Sequence, residues 1–205
     1  MEIPVWISFL PDHSTTHQLI ELINEICMAL DNRELICLVF CDASKAFDRV
    51  WLRGLLLKLE RYGIKGNLLQ WLGSYISARE QQVIIQNAIS GKGNLKAGVP
   101  QGSILGPLLF LVFINDIADE TISLCRLFAD ETSIGELCNM VNTDLKNISE
   151  WSKQWLVKLN PTNTDIVYFN TSDIPPGLFF WIENTGMYPV KCHKHLGITL
   201  SADCK

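Results

Sequence analysis

The sequence predicts an α+β fold, and three observations carry that reading. Leu35-Ile36-Cys37-Leu38-Val39-Phe40-Cys41 is a continuous apolar run ended by Asp42, the signature of a strand buried on both faces. Two short strands, 124–128 and 132–134, flank Ala129-Asp130-Glu131 and read as a hairpin. Around them lie segments whose apolar residues recur at helical spacing. The order strand, helices, strand, helix, hairpin, helix, strand fits a sheet with helices packed on one face.

Each element has its own signal. Pro11-Asp12-His13-Ser14 is a turn, after which Ser14 or Thr15 caps a helix running to about Leu30, with Leu19, Leu22, Ile23, Ile26 and Leu30 on one stripe. Residues 52–78 read as helix, broken between 63 and 66 by glycines. Gln82-Val83-Ile84-Ile85 is a short strand, and Val99-Pro100-Gln101-Gly102 a loop. A helix follows over 105–114, with Pro107 in its first turn, where the missing N–H costs nothing. Val141, Leu145, Ile148, Trp151 and Trp155 form the next helical stripe, stopped by Asn160-Pro161. Residues 166–169 are a strand. After Asp173 the chain turns irregular at Pro175-Pro176-Gly177, with strands near 179–182 and 196–200, so a boundary is expected at 172–177.

Composition narrows the class. The 205 residues are 48% apolar and 19% charged, which excludes a disordered, collagenous or low-complexity protein. The longest apolar stretch, 104–114, is too short to span a bilayer and contains Gly106 and Pro107, so no membrane partner is expected. The start, Met1-Glu2-Ile3-Pro4, lacks the basic region of a signal peptide; the expectation is an intracellular protein, nuclear or cytoplasmic, and not a secreted one. Seven cysteines without repeating spacing, most in apolar surroundings, read as free thiols and not as a disulfide framework. The net charge of −5 argues against a nucleic-acid binder, except that acids placed to hold metal ions also lower the total.

Those acids are the first chemical signal. Asp42 ends the apolar strand, and Asp130-Glu131 sits at the tip of the hairpin. A buried strand holds a carboxylate rigidly. Two such carboxylates on adjacent strands make a hard, oxygen-rich site suited to Mg²⁺, which takes one or two carboxylates and completes its shell with substrate phosphates. Two ions so held serve phosphoryl transfer by activating the attacking oxygen and stabilising the leaving one. Taken singly, each acid is better explained by the preference of acids for turns and water.

Longer motifs turn this pattern into a resemblance. Asp42-Ala43-Ser44-Lys45-Ala46-Phe47-Asp48-Arg49-Val50, Ala97-Gly98-Val99-Pro100-Gln101-Gly102-Ser103-Ile104-Leu105-Gly106-Pro107, Phe110-Leu111-Val112-Phe113-Ile114-Asn115-Asp116 and Leu127-Phe128-Ala129-Asp130 occur in that order. From about Phe9 to its end the chain resembles the reverse transcriptase of non-LTR retrotransposons, the LINE-like RNA-directed DNA polymerases. The resemblance implies a right-hand polymerase palm with partial fingers and no thumb: 1–34 a partial fingers segment, 35–172 the palm with inserted fingers elements, and 173–205 a primer-grip-like hairpin and truncated end. It implies two-metal nucleotidyl transfer onto a primer 3′-hydroxyl, with Mg²⁺ (or Mn²⁺) as cofactor and an RNA template, a DNA primer and dNTPs as partners.

Residue by residue, Asp42 matches the family's first metal-binding aspartate, with the Ala43 carbonyl beside it. Asp130 matches the first acid of the Phe-Ala-Asp-Asp hairpin, and Glu131 stands at the second. Phe47 stands where the family has the aromatic that lies beneath the sugar and excludes a 2′-hydroxyl; the pattern alone reads it as a core residue. Gln101 and Gly102 match the loop that contacts nucleotide and template. His195, Leu196 and Gly197 match the primer-grip hairpin, with a Cys192-His193-x-His195 metal site as the competing reading.

The chain also departs from the family. Glu131 replaces an aspartate, and its extra methylene moves the carboxylate in a site where about 1 Å of misplacement costs roughly 10²-fold in rate. Asn163 replaces the lysine of Asn-Pro-x-Lys-Thr, and a neutral amide cannot protonate a leaving pyrophosphate. Gly-Phe-Arg-Pro-Gly appears as Ser8-Phe9-Leu10-Pro11-Asp12. The departures and both ends of the chain define a second expectation: a catalytically impaired, truncated retrotransposon remnant with at most weak nucleic-acid or protein binding.

Overall fold

The computed structural model describes residues 14–128, 131–136, 138–169, 179–182 and 184–202, with backbone alone at 124, 126–128, 131–136 and 138–139. Ser8–Asp12, Asp130 and the expected boundary at 172–177 lie outside the described residues. In chain order the elements are α1 (Thr15–Asp31), β1 (Ile36–Asp42), α2 (Leu52–Arg61), α3 (Gly66–Ile76), β2 (Arg79–Gln81), β3 (Ile84–Ile85), β4 (Ala88–Ile89), β5 (Gly93–Leu95), α4 (Leu105–Ile114), β6 (Leu124–Phe128), β7 (Glu131–Glu136), α5 (Cys138–Gln154), β8 (Asp165–Phe169), β9 (Phe180–Ile182), β10 (Thr185–Met187), β11 (Cys192–His195) and β12 (Ile198–Ser201). Short 3-10 turns occupy Ala46–Arg49 and Asn115–Glu120.

The described residues form two compact units: those within 14–44, 116–154 and 158–202 make the first, residues 45–115 and 155–157 the second. The first is built on an antiparallel sheet of order β6-β7-β1-β8. Position alternation sorts β1 into two faces. Leu38 and Phe40 join Val167 and Phe169 of β8, Leu22 and Ile26 of α1 and Leu200 of β12 in one buried cluster. Cys37, Val39 and Cys41 face the other way and are buried as well, on the side where α5 meets β1 and β7. Helices therefore cover both faces, which corrects the expectation of helices on one face. The physical reason lay in β1 itself, because a strand apolar at every position needs cover on both sides.

Local chemistry explains most boundaries. Ser14 caps α1, its hydroxyl accepting from the His17 N–H at 3.4 Å. In the second unit the Ser103 hydroxyl accepts from the Gly106 N–H at 2.9 Å and donates to the Pro100 carbonyl at 2.7 Å, fixing the start of α4. Trp155, expected on the stripe of α5, lies beyond that helix, which ends at Gln154. Its ring meets Phe113 edge-on in the second unit, at 6.3 Å between centroids. Leu156 follows at φ 58°, a left-handed conformation that cannot continue a helix. The fringe strands β2–β5 pair as two short ribbons in which Ile84, Ile85 and Ile89 stay exposed. Among the described residues no helix is long and apolar enough to cross a membrane.

Candidate active site

The site in the first unit grows out of the C-terminal end of β1. Residues beyond that strand continue to pair: Ala43 bridges Leu159, the Asn160 N–H donates to the Asp42 carbonyl at 2.9 Å, and the Ser44 N–H to the Lys158 carbonyl at 2.9 Å. Both bonds come from the residues flanking Ala43, so the Ala43 N–H and carbonyl point away from the 158–160 segment. This pairing delivers two amides to one carboxylate oxygen. Asn160 Nδ2 donates to Asp42 Oδ2 at 3.0 Å, and Asn163 Nδ2 to the same oxygen at 3.1 Å. The orientation of Asn160 is itself set, because its Oδ1 accepts from Thr162 Oγ1 at 2.7 Å and its nitrogen must then face Asp42. The turn is closed by the Asn163 N–H (3.1 Å) and Thr164 Oγ1 (2.9 Å), both donating to the Asn160 carbonyl.

Asp42 is half-buried and lines a cleft of about 220 Å³ together with Phe40, Cys41, Asn163 and His193. Its Oδ2 is occupied by the amides, while among the described residues its Oδ1 accepts no hydrogen bond. Across the sheet, Glu131 is the backbone register partner of Asp42. Asp130 lies outside the described residues. A hard divalent cation fits this set: a carboxylate with one oxygen open, an adjacent main-chain carbonyl turned away from its bridge, and a second acid at the paired register position. Cys41 is buried, and its thiol is unreactive there. Burial pushes its thiol up to about 12, with Cys125 and then Asp42 adding to the rise.

β11 and β12 form a two-residue hairpin with Leu196 at φ 47° and Gly197 at φ 89°, both left-handed as a type I′ turn requires. His195 is buried, its ring tilted on Phe40 at 5.0 Å. His193 stacks on the same Phe40 at 4.1 Å, and its Nδ1 pairs with Asp165 Oδ2 at 2.8 Å. Cys192 and His193 are neighbours on one strand and so face opposite ways, which removes Cys192 from a common metal site with the histidines.

The second unit holds Phe47, Gln101 and Gly102. Phe47 is half-buried, stacked on Phe110 at 4.3 Å and 22° between ring planes. The Val99 N–H donates to the Phe47 carbonyl and the Gly98 N–H to the Val50 carbonyl, both at 2.9 Å, binding the loop to the 3-10 turn. Gln101 Nε2 then donates to Asp48 Oδ1 at 2.8 Å, with Gln101 and Gly102 exposed. Sequence reasoning missed Asn160, Asp48 and Asp165. Asn160 carried a signal, since Asn-Pro followed by Thr is a side-chain-bonded turn as much as a helix stop; the other two lie 53 and 28 residues from their partners and carried none.

Comparisons with known proteins identify the architecture and then the family. Structural superposition finds apo telomerase from Candida tropicalis, truncated from its C-terminal domain, at a TM-score of 0.66 and 10% identity over 92% of this chain and 39% of that one. Telomerase from Candida albicans, in complex with a fragment of telomeric RNA, follows at 0.63 and 13% identity, over 83% of this chain and 32% of that one. The fold is thus a polymerase-like mixture of helices and strands. Residues 3–200 match the family described as Reverse transcriptase (RNA-dependent DNA polymerase), and the chain belongs to it. Among relatives, the probable RNA-directed DNA polymerase from transposon BS of Drosophila melanogaster is 33% identical over 94% of this chain. The RNA-directed DNA polymerase from mobile element jockey, of the same fly, is 29% identical over 92%. The chain spans 23% and 22% of the length of these two relatives.

Proposed function

We propose that the chain works as the nucleotidyl-transfer core of an RNA-directed DNA polymerase, copying an RNA template onto a DNA primer from dNTPs. The observation that supports this most is the Asp42 carboxylate, fixed through one oxygen and open at the other, with Glu131 at its register partner. Asp42, Asp130 and Glu131 would hold Mg²⁺ or Mn²⁺, with the Ala43 carbonyl completing the protein's share. When bound, the ions activate the primer 3′-hydroxyl and neutralise charge on the departing phosphates. The chain's own residues bind and orient. Phe47 supplies a flat ring for sugar selection, Gln101 and Gly102 contact nucleotide and template, and the His195-Leu196-Gly197 turn supports the primer end.

In this reading 35–172 is the palm with inserted fingers elements, 1–34 a fingers segment and 173–205 the primer-grip end, in an intracellular protein of the nucleus or cytoplasm. Primer extension on an RNA template with the purified chain tests the assignment. Extension that Asp42→Ala abolishes is the expected result. No extension by the wild type overturns the activity; extension persisting in Asp42→Ala overturns the placement of the site.

A further inference from the structure

We infer that Asn160 and Asn163 are positioning residues that act as a double amide clamp on Asp42, so that position 163 has a task of its own and is not merely a vacated lysine. The inference rests on the reading of Asp42 as a cation ligand. Two N–H groups on one carboxylate oxygen remove the free rotation of the carboxylate and present the other oxygen in one direction. Groups that hydrogen-bond a metal ligand set its orientation in this way, and losing one typically weakens metal binding by roughly 10- to 100-fold. The clamp is braced at three points: the Asn160 N–H on the Asp42 carbonyl, Thr162 Oγ1 on Asn160 Oδ1, and the Asn163 N–H on the Asn160 carbonyl. These bonds fix the Asn160 amide directly and hold the backbone from which the Asn163 amide reaches Asp42.

A neutral donor also suits the task better than a charged one. An ammonium at position 163 would pair with Asp42 and compete with the cation for it, whereas an amide orients the carboxylate and leaves its charge in place. The side chain of Asn163 is exposed, so its replacement leaves the core untouched.

The test is Mn²⁺ binding to the full chain without nucleotide, read by the electron paramagnetic resonance of free Mn²⁺. Asp42→Ala is expected to remove the site. Asn163→Ala is expected to weaken it by about 10-fold, and Asn163→Lys to weaken it further. In the wild type the side-chain amide resonances of Asn160 and Asn163 should shift on adding Mg²⁺, and in Asp42→Ala they should stay still; a purely structural turn would show no such response. Loss in Asp42→Ala with unchanged affinity in Asn163→Ala overturns the clamp and leaves the Asp42 site standing. Unchanged affinity in Asp42→Ala overturns the site itself, and the clamp with it.

Discussion

Single residues in this chain answer to partners far away in sequence, and their substitutions separate chemistry from packing. Phe47 rests on Phe110 and is only half-buried, so part of its ring stays accessible. Phe47→Ala should lower stability by about 1–3 kcal/mol, less than a fully buried Phe→Ala. In an extending enzyme it should also admit ribonucleotides; unchanged discrimination in a primer-extension assay would reduce Phe47 to packing. Lys58 shows the opposite kind of surprise. It is buried, with its ammonium 3.7 Å from the Trp155 ring centroid and donating to the Phe113 carbonyl at 2.5 Å. Lys58→Met keeps the apolar stem and removes the charge and its bond to that carbonyl. A loss of about 1–3 kcal/mol is expected in urea denaturation, because a buried hydrogen bond from a charged donor contributes about that much. Glu131 belongs at this scale too. Glu131→Asp shortens the arm carrying the second acid, and should raise turnover while leaving nucleotide affinity nearly unchanged, the pattern of an interaction made mainly in the transition state.

Elements were legible where one face or one run of residues decided them. β1 was readable because seven apolar residues in a row admit little else, and α1 because its cap and stripe agree. The ribbons β2–β5 were largely missed, because two- and three-residue strands with exposed side chains leave no period to read. The loop before α4 was visible as a loop, but its anchoring was not. Gly98 has φ +87°, and a Cβ there would stand 2.7 Å from the Asp48 carbonyl oxygen. Gly102 has φ +74° with open space around it. Gly98→Ala therefore combines backbone strain of about 1–3 kcal/mol with a collision against main chain, while Gly102→Ala carries the strain alone. Denaturation midpoints should rank wild type, Gly102→Ala, Gly98→Ala in falling order. Equal midpoints for the two variants would show that the loop does not hold its place against the 3-10 turn.

At the scale of the whole molecule, the sequence showed the order of elements and the strand-end acids, but not what converges on them. Asn160 and Asn163 reach Asp42 from 118 and 121 residues away, and no local pattern encodes such a meeting. The burial of Cys41, by contrast, was readable from the apolar strand it sits in, whereas Cys27 is exposed despite its neighbours Ile26 and Met28. Cys27 and Cys192 are exposed, whereas Cys41 and Cys125 are buried. Burial is the main cause that pushes both buried thiols up to about 12; Cys125 and Asp42 add to the rise at Cys41, while at Cys125 a Thr121 hydrogen bond opposes it and Asp144 adds to it. In the unfolded chain a thiol ionises near its ordinary value of 9.0. Below that value both states hold the proton and the stabilising difference is complete. Between about 9 and 12 the unfolded state loses protons that the folded state retains, so stability falls as pH rises through that window. Denaturation of the wild type at successive pH values should show this fall, and Cys41→Ala should flatten it relative to the wild type. At pH 8, maleimide labelling mapped by peptide mass should mark Cys27 and Cys192 and spare Cys41 and Cys125 until denaturant is added. Labelling of Cys41 in the native protein, or parallel pH curves for wild type and Cys41→Ala, would show that β1 opens to solvent and that the strand carrying Asp42 is not the rigid support the site requires.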